Sequence, residues 1–251
     1  ARSAEINLSA IQAGNDLLLI PQNVPASIRI IKQALALKTL SEERINKSVR
    51  KILKAKYWMG LNNYKPIEIS GLQEDLNTIE DELLHRKLLK NAITLIKDSD
   101  QNIPLGNLEY KKIAYVKLGD DSGDHFVNML KNYTKVEVIS DNNLDGLLTK
   151  LKSYNQVIIG FHKSNKHPWK SYRFKNKELV WLQEIARNKK VILDVFASPY
   201  SLLQVKTFVN IEAIIVSYQN SKLAQELSAQ MIFGAFKAQG KLPVSIGEEF
   251  K

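Results

Sequence analysis

The sequence predicts an α/β protein: a mostly parallel open sheet with helices on both faces, preceded by a smaller piece dominated by helices. Three observations carry this. From residue 93 onward, short apolar runs alternate with helical stretches, the pattern of strands joined by crossover helices. Several runs are apolar at nearly every position, as strands covered on both faces are. Near the N-terminus a single strand-like run, Asp16-Leu17-Leu18-Leu19-Ile20, lies among helices with no neighbouring strand to pair with.

The N-terminal elements follow in order. Residues 4–13 read as a helix closed by Gly14. Residues 16–20, ended by Pro21, suit a buried parallel strand. Pro25 opens a second helix with Ile28, Ile31 and Leu35 on its apolar face. Ser41, followed by Glu42 and Glu43, starts a third helix. Its residues Ile45, Val49, Ile52 and Leu53 form a narrow stripe expected to be buried, while Arg44, Lys47, Arg50, Lys51 and Lys54 take the wet face. Residues 61–79 show no period, contain Pro66 and Gly71, and read as a linker. Beyond it, strands are predicted at 93–96, 113–118, 136–139, 157–161, 191–196 and 213–218. Helices are predicted at 122–132, 143–153, 175–188 and 221–236. One isolated strand cannot satisfy its own edges, so residues 16–20 are expected to belong to a longer fold, with residue 1 not its true start.

Composition narrows the classes. The chain has 251 residues, 44% hydrophobic and 25% charged, enough apolar material for a core. No run nears the ~18 apolar residues of a membrane span, and the start lacks a signal-peptide pattern. Cysteine is absent, which excludes disulfides and thiolate chemistry. The net charge of +10 rests on 29 Lys and 7 Arg spread along the chain. A dedicated nucleic-acid surface leans on Arg, so the lysines read as solvated faces and no nucleic-acid partner is expected.

In open parallel sheets ligands bind beyond the carboxyl ends of strands. The 119–125 segment GDDSGDH offers carboxylates, but Asp121 or Ser122 as a helix N-cap, with Asp124 in the first turn, accounts for it without a metal. No Walker loop, GxGxxG, GxSxG or HExxH occurs; no cofactor and no metal site is expected. His85 and His125 are isolated. The loop 162–174, HKSNKHPWKSYRF, is long for a βα connection and combines two His, three Lys, one Arg, Trp169 and Tyr172. Rings beside cationic donors suit a sugar or an acidic ligand; the alternative is a solvated loop with Trp169 tucked into the core. His162 and His167 have no carboxylate within the loop to orient them.

As a whole the chain resembles glycoside hydrolase family 3. AIQAGNDLLLIPQNVPASIRIIKQAL (10–35) and SEERINKSVRKILKAKYWMGL (41–61) resemble the end of that family's (β/α)8 barrel. NAITLIKD (91–98), IPLG (103–106), VIIGFHKS (157–164), FASPYSL (196–202), VSYQN (216–220) and GKLPVSI (240–246) resemble its C-terminal α/β sandwich domain. The resemblance is strongest to the bacterial β-N-acetylglucosaminidase branch. It implies three parts: a barrel remnant over 1–60, a linker over 61–79 and the α/β sandwich over 80–251. It also implies a retaining glycosidase acting on terminal β-linked N-acetylhexosamine or glucose. The family's nucleophilic Asp and the proton-donating His–Asp pair precede the segment present here. No catalytic residue is therefore assigned, and the 251 residues alone are expected to be inactive. Glu178 and Glu184 read as solvated helix positions. Lys163, His167, Trp169 and Arg173 are expected to line the outer part of the sugar site, with carbohydrate engaged through the barrel. The N-terminal piece is expected to expose apolar surface and favour self-association. An exported or periplasmic bacterial location is favoured over a cytoplasmic one. The competing reading is a non-catalytic carbohydrate-binding or structural module.

Overall fold

The structure, a computed structural model, describes residues 2–250. The chain forms two compact units, 1–73 and 74–251.

The first unit holds α1 (Arg2–Gln12), α2 (Val24–Ala36) and α3 (Glu42–Trp58). Asn23 caps α2, its side chain accepting from Ala26 N–H, and Pro25 sits in the first turn. The Ser41 hydroxyl caps α3 by accepting from Arg44 N–H. Ile11, Ala34 and Leu40 form a small core, against which Leu8, Leu18, Ile31, Leu35 and Ile45 pack. The expected strand at 16–20 does not form, because no neighbouring strand supplies the hydrogen bonds it needs. Leu17, Leu19 and Ile20 are instead 71%, 90% and 86% exposed. Asp16 turns towards α3: its carboxylate accepts from the Ser48 hydroxyl at 2.6 Å and the Lys51 ammonium at 2.7 Å, with Arg44 at 3.4 Å. The hydrogen bond from Lys51, then that from Ser48, holds the carboxyl down at about 2. The α3 stripe also departs from expectation. Ser48 is buried, whereas Val49 and Leu53 are exposed, since no described residue covers them.

The second unit contains α5 (Ile79–Ala92) after a short α4 (Leu72–Asp75), then the alternation read from the sequence. Its strands are β1 (Thr94–Asp98), β2 (Ile113–Gly119), β3 (Val136–Val138), β4 (Gln156–His162), β5 (Lys190–Phe196) and β6 (Ile211–Val216). Its later helices are α6 (Asp124–Lys131), α7 (Leu144–Leu151), α8 (Asn176–Asn188) and α9 (Lys222–Ile232). Helix α5 lies outside the predicted helices, although Ile79, Leu83, Leu84 and Leu88 fall at helical spacing. Its signal was local: a capping box in which Thr78 and Asp81 satisfy each other's backbone N–H.

The six strands run in the order β1-β6-β5-β4-β2-β3, parallel except for β1, which pairs antiparallel to β6 at the edge. Alternate residues of each strand feed two cores. Val116, Ile159, Phe161, Leu193 and Val195 face α7 and α8; Tyr115, Ile158, Ile192, Phe196 and Ile215 face α6 and α9. Phe126, Phe161 and Phe196 are wholly buried, each contributing roughly 1.5–3 kcal/mol over the exposed state. From β2 the chain crosses one way to β3 and then the other way to β4. The ends of β2 and β4 therefore flank a switch point, where doubly wound sheets open a crevice.

Candidate functional site

At that switch point Gly119 ends β2 beside His162, which ends β4. Here the crevice is filled. Gly119 has φ +89, and a Cβ there would overlap the His162 carbonyl; a Cβ on Gly123 or Gly160 would overlap the His162 ring and the Tyr115 hydroxyl. His162 is wholly buried, stacked on Phe196 with ring centroids 4.5 Å apart.

Asn220, just after β6, orients this ring. Its Nδ2 donates to Ser122 O at 2.9 Å, so its Oδ1 is the acceptor that meets His162 Nδ1 at 2.7 Å. His162 therefore carries its proton on Nδ1, and the Tyr115 hydroxyl donates to Nε2 at 2.8 Å. Burial drives the His162 pKa down to about 4 against the smaller upward pull of the Asn220 bond, so the ring is neutral at pH 7. Burial likewise raises the Tyr115 pKa. Gln225 locks the arrangement from α9: its Nε2 donates to Asn220 Oδ1 and Ser122 O, and its Oε1 accepts from Phe126 N–H. The Asn165 side chain accepts from Asn220 N–H. Asn220 thus ties together the segments that follow β2, β4 and β6. With both ring nitrogens engaged, His162 is a structural pin and not a general base. The sequence placed Asn220 beyond a strand end but gave no sign that it meets a histidine 58 positions away.

The carboxylates beside this pin also have partners. Asp120 pairs with the buried Lys163 ammonium at 3.0 Å. Burial raises the Asp120 carboxyl, but the Lys163 hydrogen bond and charge outweigh it and leave the pKa below the usual range. Burial acts similarly on Asp121 and is outweighed by hydrogen bonds from Asn220 and Ser122 N–H, with Lys166 and Lys170 adding charge. Neither Asp121 nor Ser122 occupies the N-cap of α6; Gly123 does, because no Cβ fits there, and the Ser122 hydroxyl accepts from Asp124 N–H. Glu178, expected to be solvated, accepts from Gly119 N–H at 3.1 Å and Lys175 N–H at 2.7 Å, pinning the end of β2 to the start of α8.

The four residues expected to line a sugar site separate into two groups. Lys163 lies at the loop base with its ammonium on Asp120, 5.7 Å from the Phe161 ring centroid. His167, Trp169 and Arg173 are exposed on the 164–173 excursion, and Trp169, at 89% exposure, is not tucked into the core. Phe174, stacked on Phe161, anchors the far end of the loop. His85 and His125 are exposed on helix surfaces, and no group of three or more His, Asp or Glu able to hold a metal occurs among the described residues.

Known proteins share this fold. Solved structures superpose over nearly all of it. A β-glucoside phosphorylase, BglX, covers 98% of the chain at a TM-score of 0.74 and 18% identity, and the chain spans 46% of that protein. A glycoside hydrolase family 3 β-N-acetylglucosaminidase from Paenibacillus sp. str. FPU-7 covers 97% at a TM-score of 0.70 and 17% identity, with 48% of its length spanned. The fold is that of the C-terminal α/β domain of glycoside hydrolase family 3. In sequence, a lysosomal β-glucosidase of Dictyostelium discoideum is 28% identical over 119 residues, 47% of this chain and 14% of that protein. β-Glucosidase C of Emericella nidulans is 24% identical over 208 residues, 83% of this chain and 32% of that protein. No family model matches the chain. The chain thus spans less than a third of these two curated relatives, both of them β-glucosidases. In this α/β domain the strand ends are closed by the His162–Asn220 pin, and the 164–173 loop is the part left reaching outward.

Proposed function

We propose that residues 1–251 are the C-terminal part of a retaining glycoside hydrolase that removes terminal β-linked N-acetylhexosamine or glucose residues. In this reading residues 1–60 end a (β/α)8 barrel, residues 61–79 link it to the α/β domain over 80–251, and the barrel supplies the reacting groups. The observation that carries it is the state of the carboxylates at the sheet's C-terminal edge. A retaining mechanism needs two carboxyl groups roughly 5–5.5 Å apart, free to act as nucleophile and as acid. Asp120, Asp121 and Glu178 each hold a loop or a helix start instead. The α/β domain then contributes position and not chemistry: His167, Trp169 and Arg173 reach over the barrel mouth and line the outer sugar site. Lys163 fixes the loop base through Asp120.

The test is an assay on chromogenic β-N-acetylglucosaminide and β-glucoside, with the chain alone and with the barrel portion added. Silence alone and turnover with the complement is the expected pair of results; turnover by the chain alone refutes the proposal. In the two-domain enzyme, W169A and R173A should raise KM with little change in kcat, since they remove outer contacts made equally in ground and transition states. Unchanged KM dismisses the loop's role.

A further inference from the structure

The opposite end of the sheet carries a feature the reading above does not use. The register pairs Ile113 with both Val136 and Gln156, and Gln156 with Lys190. The residues that precede these strand starts, Lys112, Lys135, Asn155 and Lys189, therefore line up across the N-terminal edge. Four strands at ~4.8 Å spacing make that row about 14 Å long. Two cavities open along it, of about 800 and 390 Å³, and they share Lys111 and Tyr154. The larger is lined by Lys111, Lys152, Lys189 and Lys190 with Tyr110 and three Asn, and by no Asp or Glu. The single carboxylate of the smaller, Glu137, is taken by Lys135 at 3.0 Å and the Tyr154 hydroxyl at 2.7 Å. Lys189 donates to the Lys152 and Tyr154 carbonyls and Lys190 faces Glu212. Lys111, Lys112 and Lys152 have no carboxylate partner among the described residues.

We propose that this groove binds a linear anionic glycan. A furrow lined by six lysines, of which Lys111, Lys112 and Lys152 form no ion pair among the described residues, calls for a polyanion, because a single small anion would engage only part of the row. Lysine presents a point charge without the bidentate fork that nucleic-acid recognition favours, and no Arg lines either cavity. The Tyr110 ring, 77% exposed, offers an apolar face for one sugar ring, whereas a nucleic-acid strand needs successive stacking platforms. The seven-residue strand β4 separates this edge from the His162 edge by roughly 23 Å. The groove would therefore hold a charged stretch of polymer well away from the sugar being cleaved. The choice of a glycan as the polyanion rests on the glycosidase reading; the charge row itself does not.

The experiment is affinity electrophoresis of the 251-residue chain in gels containing polygalacturonate, dextran sulfate or neutral dextran, at about 50 mM salt. Retardation by an anionic glycan and not by dextran is expected, and the better anion identifies carboxylate or sulfate as the favoured group. K111E/K152E should weaken it at least about tenfold, while K222E/K237E, an equal charge change at exposed positions outside both cavities, should leave it within twofold. If charge reversal unfolds the chain by circular dichroism, K111Q/K152Q carries the same test. Three results overturn the proposal: no retardation, equal loss in both double variants, or tighter binding of oligothymidylate with the same loss in K111E/K152E. Because binding is read without turnover, its failure is separate from failure of the hydrolysis assay.

Discussion

Asp194 lies in the middle of β5 with no exposed surface, accepting from the Ser217 hydroxyl at 2.8 Å and from the Ser228 hydroxyl. Burial raises its pKa to about 7 against the downward pull of Ser228 and Ser217, in that order. The folded protein therefore holds this proton more tightly than the unfolded chain, whose Asp titrates near 3.9. The stability that Asp194 contributes is fully present below that unfolded value and is lost as pH rises through the folded one. The window runs from about pH 4 to 7. A shift of roughly 3 units at 1.36 kcal/mol each is about 4 kcal/mol over the whole window, of which about 3 kcal/mol is lost between pH 4.5 and pH 8. D194N keeps the shape and both hydroxyl partners, since its amide oxygen accepts from one serine and its nitrogen donates to the other. It cannot ionise. Urea unfolding of both proteins, followed by far-ultraviolet circular dichroism at pH 5 and pH 8, isolates this residue, because the lowered carboxylates such as Asp120 and Asp121 are common to both. Between pH 5 and pH 8 the variant should gain about 2.5 kcal/mol on the wild type. A difference that does not change between the two pH values refutes the reasoning.

Two further outcomes follow from the same contacts. N220A leaves the His162 Nδ1–H without its acceptor and Ser122 O short of a donor, which should cost about 2–4 kcal/mol. Hydrogen exchange at 119–123 and 162–165 should accelerate together; protection as in the wild type would show that these loops are held by something else. L17S/L19S/I20S, placed on residues that are already exposed, should lower the weight-average mass in sedimentation equilibrium with little change in unfolding midpoint. An unchanged mass would show that this apolar run does not drive association.

Much of the α/β domain was legible because its signals are local. The runs at 157–161 and 191–196 are apolar on both faces, and a chain segment of that kind has few places to go except the middle of a parallel sheet. The cap at Ser41 was likewise written in two or three residues. The antiparallel edge position of β1 was not legible, since residues 94–98 read the same in either direction. The N-terminal piece shows the opposite failure. The run at 16–20 has strand composition, yet strand formation is a property of a pair, and without a neighbour the composition produces an exposed segment clamped through Asp16. The site was half visible. Position beyond a strand end pointed to 119–122, 162–174 and 219–221, but composition could not tell a side chain that reaches outward from one that is consumed in holding the loops. Lys163 and Trp169 stand six residues apart, one buried on Asp120 and the other in solvent.

The sequence by itself determined most elements of the α/β domain, the two-sided burial of its central strands and the direction in which a ligand-bearing edge must face, because periodicity and capping act within a few residues. Only the tertiary structure decided that His162, Tyr115, Asn220 and Gln225 close the switch point and that lysines from three strand starts share one furrow. Those groups come from segments spread from Tyr115 to Gln225, 110 residues apart along the chain, and parallel pairing in fixed register is what brings them within reach of one another.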